Sequence, residues 1–235
     1  MHALKPTQRS HGVARRTPVY VVCSPRARVG KTLVARLLID FFRIESRPVA
    51  AFDINRNEPS LADYFPGSVI KADIVKTRDQ MALFDSLIVN DGVGKVVDVG
   101  ASAFEPFFDV AQQIGFSAEA RRRSVQPVIL IVSDVDRSSA DALSGLQRRF
   151  PDVALIAVHN EAAIGAYRMG MSGQLRIPLI PPVLKGVVEK PTFSFANEPT
   201  GTPSLLDAWL KQIFVQFREF ELRLLLKELS LQMRA

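Results

Sequence analysis

Short, nearly unbroken apolar runs recur along the chain at 18–23, 48–53, 95–99, 127–132, 153–158 and 175–180. Runs of strand length with no polar alternate predict strands covered on both faces, the pattern of a parallel sheet between helical layers. Apolar residues at three- and four-residue spacing predict helices over 31–44, 77–88, 103–115 and 137–149. The alternation specifies an α/β fold, a doubly wound and mostly parallel sheet flanked by helices, with ligands beyond the carboxyl ends of the strands. A last helix is predicted over 203–233, where Leu206, Leu210, Ile213, Phe217, Phe220, Leu224 and Leu231 follow steps of four and three, interrupted by Lys227. Trp209, Phe214, Leu222, Leu225, Leu226 and Leu229 widen its apolar surface, so it can meet its own sheet, a protein partner or a second copy. Its charges, Lys211, Arg218, Glu219, Glu221, Arg223 and Glu228, are mixed in sign, which argues against a basic membrane-surface helix.

Composition narrows the setting. With 235 residues, 47% of them hydrophobic, the chain can bury one core and is expected to form one α/β domain. No uncharged apolar stretch reaches the about 18 residues of a membrane span. Residues 1–17 lack the apolar centre of a signal peptide and read as a flexible basic arm. A single cysteine, Cys23, excludes an internal disulfide and suits the cytoplasm, where it serves as a small core residue. The net charge of +6 and an isoelectric point of about 9.7, with Arg121 to Arg123 and Arg148-Arg149, permit non-specific DNA contact without the interleaved aromatics that stack bases.

The chemistry concentrates where the first strand ends. Tyr20-Val21-Val22-Cys23 runs through Ser24-Pro25-Arg26-Ala27-Arg28-Val29 into Gly30-Lys31-Thr32 and a helix, the order of a phosphate-binding loop. Backbone N–H groups from Arg28, Val29 and Gly30 through Leu33 would face the phosphates, Lys31 would reach the β/γ oxygens, and the Thr32 hydroxyl would ligate Mg²⁺. Pro25 stands where the common GxxxxGK[ST] pattern has its first glycine. Val96-Val97-Asp98-Val99-Gly100 delivers an acid, Asp98, to the same end of the sheet, where it would join the Mg²⁺ shell, and Gly100 would let the next loop approach the γ-phosphate.

Aligned on Gly30-Lys31-Thr32, the loop resembles the deviant K-G-G-x-G-K-[ST] loop of the ParA/MinD family of P-loop ATPases. The resemblance covers roughly residues 18–200, making them the ATPase domain between the arm and a C-terminal helix at 201–235. It implies ATP with Mg²⁺ and a nucleotide-sandwiched homodimer in which Arg26, or alternatively Arg28, crosses to the other copy's phosphates. Ala27 and Arg28 replace glycines of the family loop, and a positive φ at either would cost on the order of 1 kcal/mol. Val49-Ala50-Ala51-Phe52-Asp53 followed by Ile54-Asn55 resembles the family's D-x-D-P-Q segment. Asp53 would then hold Mg²⁺ through water, or else cap the turn after its strand. Asn55 stands in place of the second acid, and an amide is no useful base at pH 7, which implies slow hydrolysis. Asn160 resembles the residue that reads adenine, with a turn-forming role as the alternative. Residues 177–182, ending at Pro182, resemble the segment that closes the base pocket.

Residues 97–107 are similar to the TraL-like accessory ATPases of conjugative transfer. The implied function is a cytoplasmic ATP-binding switch, or one peripheral at the inner membrane through a protein partner. It would position or regulate a larger assembly through its switch loops or last helix. Two other expectations stand beside it: a degenerate nucleotide-binding scaffold acting through that helix, and an ATP-dependent ligase, since Ser24 to Thr32 resembles the loop of dethiobiotin synthetase-like enzymes, whose Val-Gly-Lys-Thr ending is identical.

Overall fold

The computed structural model describes residues 16–55, 61–133, 137–164, 175–197 and 205–232. Seven strands form one sheet: β1 (Thr17–Cys23), β2 (Val49–Asp53), β3 (Val69–Lys71), β4 (Gly94–Asp98), β5 (Val125–Ser133), β6 (Ala154–Asn160) and β7 (Leu175–Ile177). Their order is β3-β2-β4-β1-β5-β6-β7 and every pairing is parallel. β1 is central, and the chain fills one side of it and then the other, so the crevice at its carboxyl end is the topological switch point.

Burial on both faces explains the unbroken apolar runs. Along β1, Tyr20 and Val22 face one core while Val19, Val21 and Cys23 face the other. The first core receives α1 (Lys31–Ile44) and α9 (Leu205–Gln232), and the second receives α3 (Thr77–Leu87), α4 (Phe104–Gln113), α5 (Phe116–Arg122) and α6 (Arg137–Arg149). Three short helices, α2 (Leu61–Tyr64), α7 (Glu161–Ile164) and α8 (Pro182–Val188), complete the described α-helices.

The observed elements differ from the expected ones in several places, and the short α2, α7 and α8 are not among the expected helices. The helix expected over 103–115 is α4, and α5, which is not among them either, follows it because Gly115 takes φ 63° and starts a new helix. The strand expected over 175–180 stops at Ile177, since Pro178 has no N–H to continue the ladder. β3 is an edge strand of three residues, with Ile70 55% exposed, and is too short and too wet to show an apolar run.

α9 joins its own sheet over its first four turns. Leu206, Trp209, Leu210, Ile213, Phe214, Phe217 and Phe220 are buried, and Phe41 of α1 lies 5.5 Å from both Phe214 and Phe217, ring centre to ring centre. Arg47 then grips Glu221 through two hydrogen bonds of 2.6 and 2.9 Å, and the Tyr20 hydroxyl donates to the same carboxylate at 2.8 Å. Among the described residues no helix is long and apolar enough to cross a membrane.

Candidate phosphate-binding site

The loop from Ser24 to Gly30 turns the chain from β1 into α1 beyond the carboxyl end of the central strand. Gly30 precedes the helix with φ 98°, and no side chain caps the helix start. The N–H groups of the first turn therefore have no intrahelical acceptor and carry the positive end of the helix dipole. Arg28 also adopts a left-handed conformation, φ 61°, so the position expected to be strained by losing its glycine is occupied by a side chain. Arg26, Ala27 and Arg28 are exposed, whereas Val29 is buried in the first core and anchors the loop.

Lys31, 4% exposed, folds back over the loop and its Nζ donates to the carbonyl of Arg26 at 2.6 Å. Thr32 Oγ1 donates to Asp98 Oδ2 at 2.7 Å, joining the helix start to the end of β4. Asp53 stands beside Asp98, because β2 and β4 pair these residues directly. Its oxygens accept from Asn55 N at 2.9 Å and Ala62 N at 3.2 Å, so it caps the turn after β2 and reaches the start of α2. The loops after β2 and β4 touch where Asn55 meets Gly100: a Cβ there would lie 2.2 Å from Asn55 Oδ1.

Asn160 ends β6 against the loop. Its Nδ2 donates to Val29 O at 2.9 Å and its Oδ1 accepts from Ala162 N at 3.2 Å, so the amide clamps the loop and also forms the turn. Beside it lies a cleft of about 380 Å³. Arg28, Gly30, Thr32, Leu33 and Asn160 line it, together with Arg36, Tyr64, Ile180 and Lys185. Pro182 opens α8 and stays outside the lining, to which α8 contributes Lys185 and Val188.

No protein-family model and no curated protein matches the sequence. Among solved structures, the chain is similar to the nucleotide-binding protein in complex with ADP from Archaeoglobus fulgidus, whose structure also contains cobalt. The identity is 14% and the TM-score 0.41, over 84% of this chain and 87% of that one.

One wall of the cleft escapes sequence reasoning. Arg36, 3% exposed, lies one turn beyond Thr32, with its guanidinium carbon 3.6 Å from the centre of the Tyr64 ring. Its Nη2 donates to Val188 O at 2.8 Å and Phe193 O at 3.2 Å. Burial lowers its pKa to about 10, which leaves it charged at neutral pH. Asp40, one turn further along α1, accepts from Ser194 Oγ at 2.9 Å and Phe195 N at 2.6 Å, and burial pushes its carboxyl up. The only available signal was a pair of opposite charges four residues apart in the apolar middle of the helix. Cys23 is fully buried and burial pushes its thiol up, which fits an inert core residue.

Proposed function

We propose that the chain is a nucleotide-dependent switch of the ParA/MinD-like kind, binding ATP with Mg²⁺ at the loop before α1. Paired with a second copy in that state, it would regulate a larger cytoplasmic assembly. The observation that carries this reading is the Thr32 to Asp98 hydrogen bond at the mouth of a loop whose lysine is folded inward. A hydroxyl and a carboxylate are hard oxygen donors, the set that suits Mg²⁺. Bound there, the ion would neutralise charge on the phosphates.

The residues divide the work. The N–H groups from Gly30 to Leu33 receive the phosphates, and Lys31 exchanges the Arg26 carbonyl for a phosphate oxygen. Thr32 and Asp98 hold the metal, and Asp53 meets its water shell from the neighbouring strand. The nucleoside lies in the cleft against Leu33, with Asn160 and the segment leading to Pro182 at the base. Arg26, exposed at the loop's tip, would reach across to the second copy's phosphates in a bidentate grip. The Asn55 to Gly100 contact links the two loops that would sense the γ-phosphate.

Titration with a fluorescent ATP analogue, with and without Mg²⁺, tests the reading. Lys31→Ala is expected to weaken binding by about 10- to 100-fold, as loss of a charge-assisted hydrogen bond does. Light scattering is expected to show an ATP-specific dimer that the variant does not form. Unchanged affinity in the variant would overturn the assignment of the loop.

A second reading, a nucleotide-binding scaffold with little turnover, draws support from the Asn55 amide and the left-handed Arg28. Asn55→Asp separates the two. A switch poised for hydrolysis should release phosphate at least about tenfold faster once a carboxylate can prepare water. Unchanged release would favour the scaffold.

A further inference from the structure

The last three turns of α9 touch the body of the domain along one side, where Leu224 packs against the first core and Glu221 and Glu228 hold ion pairs. Among the residues whose burial is described, Phe220 is its last buried one, and residues 221–232 add about 18 Å of helix. The turns are rich in leucine. Val215, Leu222 and Leu226 are 47, 54 and 55% exposed and lie at i, i+7 and i+11, which places them on one stripe. That stripe faces away from Ile213, Phe217 and Phe220, which bury the opposite side of the helix. The stripe is held in place: Arg218 pairs with Glu45, Arg47 with Glu221, and Arg16 with Glu228.

Charge along the stripe selects its occupant. Glu219 and Arg223 lie one turn apart on the same edge, and both are exposed. Arg223 Nε reaches the main-chain oxygen of Glu219 at 3.4 Å, and no ion pair joins their charged groups. We propose that the outer face of α9 pairs with α9 of a second copy, antiparallel, about a two-fold axis near residue 221. In that register Glu219 of each copy meets Arg223 of the other, Leu222 meets Leu222, and Val215 meets Leu226. A parallel pair would put this edge of the two copies on opposite sides of the seam, so that Glu219 and Arg223 would not meet. The self-complementary pattern is what an isologous interface requires.

This contact is independent of the nucleotide. The distal part of α9 lies by the starts of β1 and β5, where Leu224 and Glu228 share a cavity with Arg16 and Gln126, and the phosphate loop lies past the other end of β1.

Sedimentation velocity of the full chain without nucleotide, over a concentration series, tests the proposal. Wild type and Lys31→Ala are both expected to dimerise, which separates this contact from the ATP-dependent one. Leu222→Asp, at an exposed position that leaves the core intact, should weaken the dimer about tenfold or more by setting carboxylates against an apolar seam. Glu219→Arg and Arg223→Glu should each weaken it, and the double exchange should restore it. Leu222→Cys should form a disulfide dimer by itself, whereas Val215→Cys should do so only when mixed with Leu226→Cys. A monomer at all concentrations, a dimer indifferent to Leu222→Asp, or a double exchange that restores nothing would overturn the proposal. So would a monomer whose binding to phosphatidylserine vesicles is lost with Leu222→Asp, since lipid would then be the occupant.

Discussion

Asp40→Ala is expected to remove about 3–5 kcal/mol of folding stability, the usual result of deleting one partner from a buried charge network. Asp40 is fully buried, and its carboxylate satisfies the Ser194 hydroxyl and the Phe195 N–H while lying one turn from the Arg36 guanidinium. Alanine would leave both donors and the cation without it. A domain of this size holds a total of about 5–15 kcal/mol, so the midpoint of thermal unfolding should fall by on the order of 10 °C. A fall of less than about 2 °C would show that water replaces the carboxylate at no cost. Asp40→Asn keeps an acceptor and removes the charge, so it should be milder. It should also change the pH profile. Burial pushes the Asp40 carboxyl above its ordinary value of 3.8, so the folded chain keeps that proton where the unfolded chain has released it. Stability from this group is therefore full below the unfolded value and falls as pH rises through the folded one. The asparagine variant should lack that decline.

Gly30→Ala should reduce ATP affinity by about 10- to 100-fold, given the positive φ of 98° and a Cβ that would lie 2.2 Å from Asn160 Nδ2. The left-handed backbone alone costs about 1–2 kcal/mol with a side chain present. The greater effect comes from the clash: the amide must leave Val29 O, and the loop loses the bond that ties it to β6. Calorimetric titration of Gly30→Ala with and without Asn160→Ala checks this. The second substitution removes the obstacle but also the clamp, so it should recover little of the affinity. Substantial recovery would mean that the overlap with the amide, and not the lost clamp, governs the loop.

Legibility followed the range over which each feature is determined. β1 could be read because alternate residues enter different cores, leaving no polar position in the run. That Thr32 and Asp98 would meet at one end of the sheet could be read because a strand, a loop and a helix in that order bring them there. The role of Asp53 as a cap for α2 depends on Ala62 returning to it, which no local pattern announces. Arg36 and Asn160 were harder still. Arg36 acquires its meaning from Val188 and Phe193, over 150 residues away, and Asn160 from Val29, 131 residues back. The sequence shows such residues only as a charge on an apolar helix or an amide after a strand.

Because all seven strands run the same way, the sheet has two chemically different rims, with the phosphates proposed at one and the outer turns of α9 at the other. A molecule with a two-fold contact at each rim behaves as a bifunctional monomer in a step-growth reaction. ATP would then join pairs into strings whose mean length grows with concentration, and scattering would keep climbing past the mass of a dimer. The extent of such growth would report on both rims at once, and blocking either one would cap it at two chains.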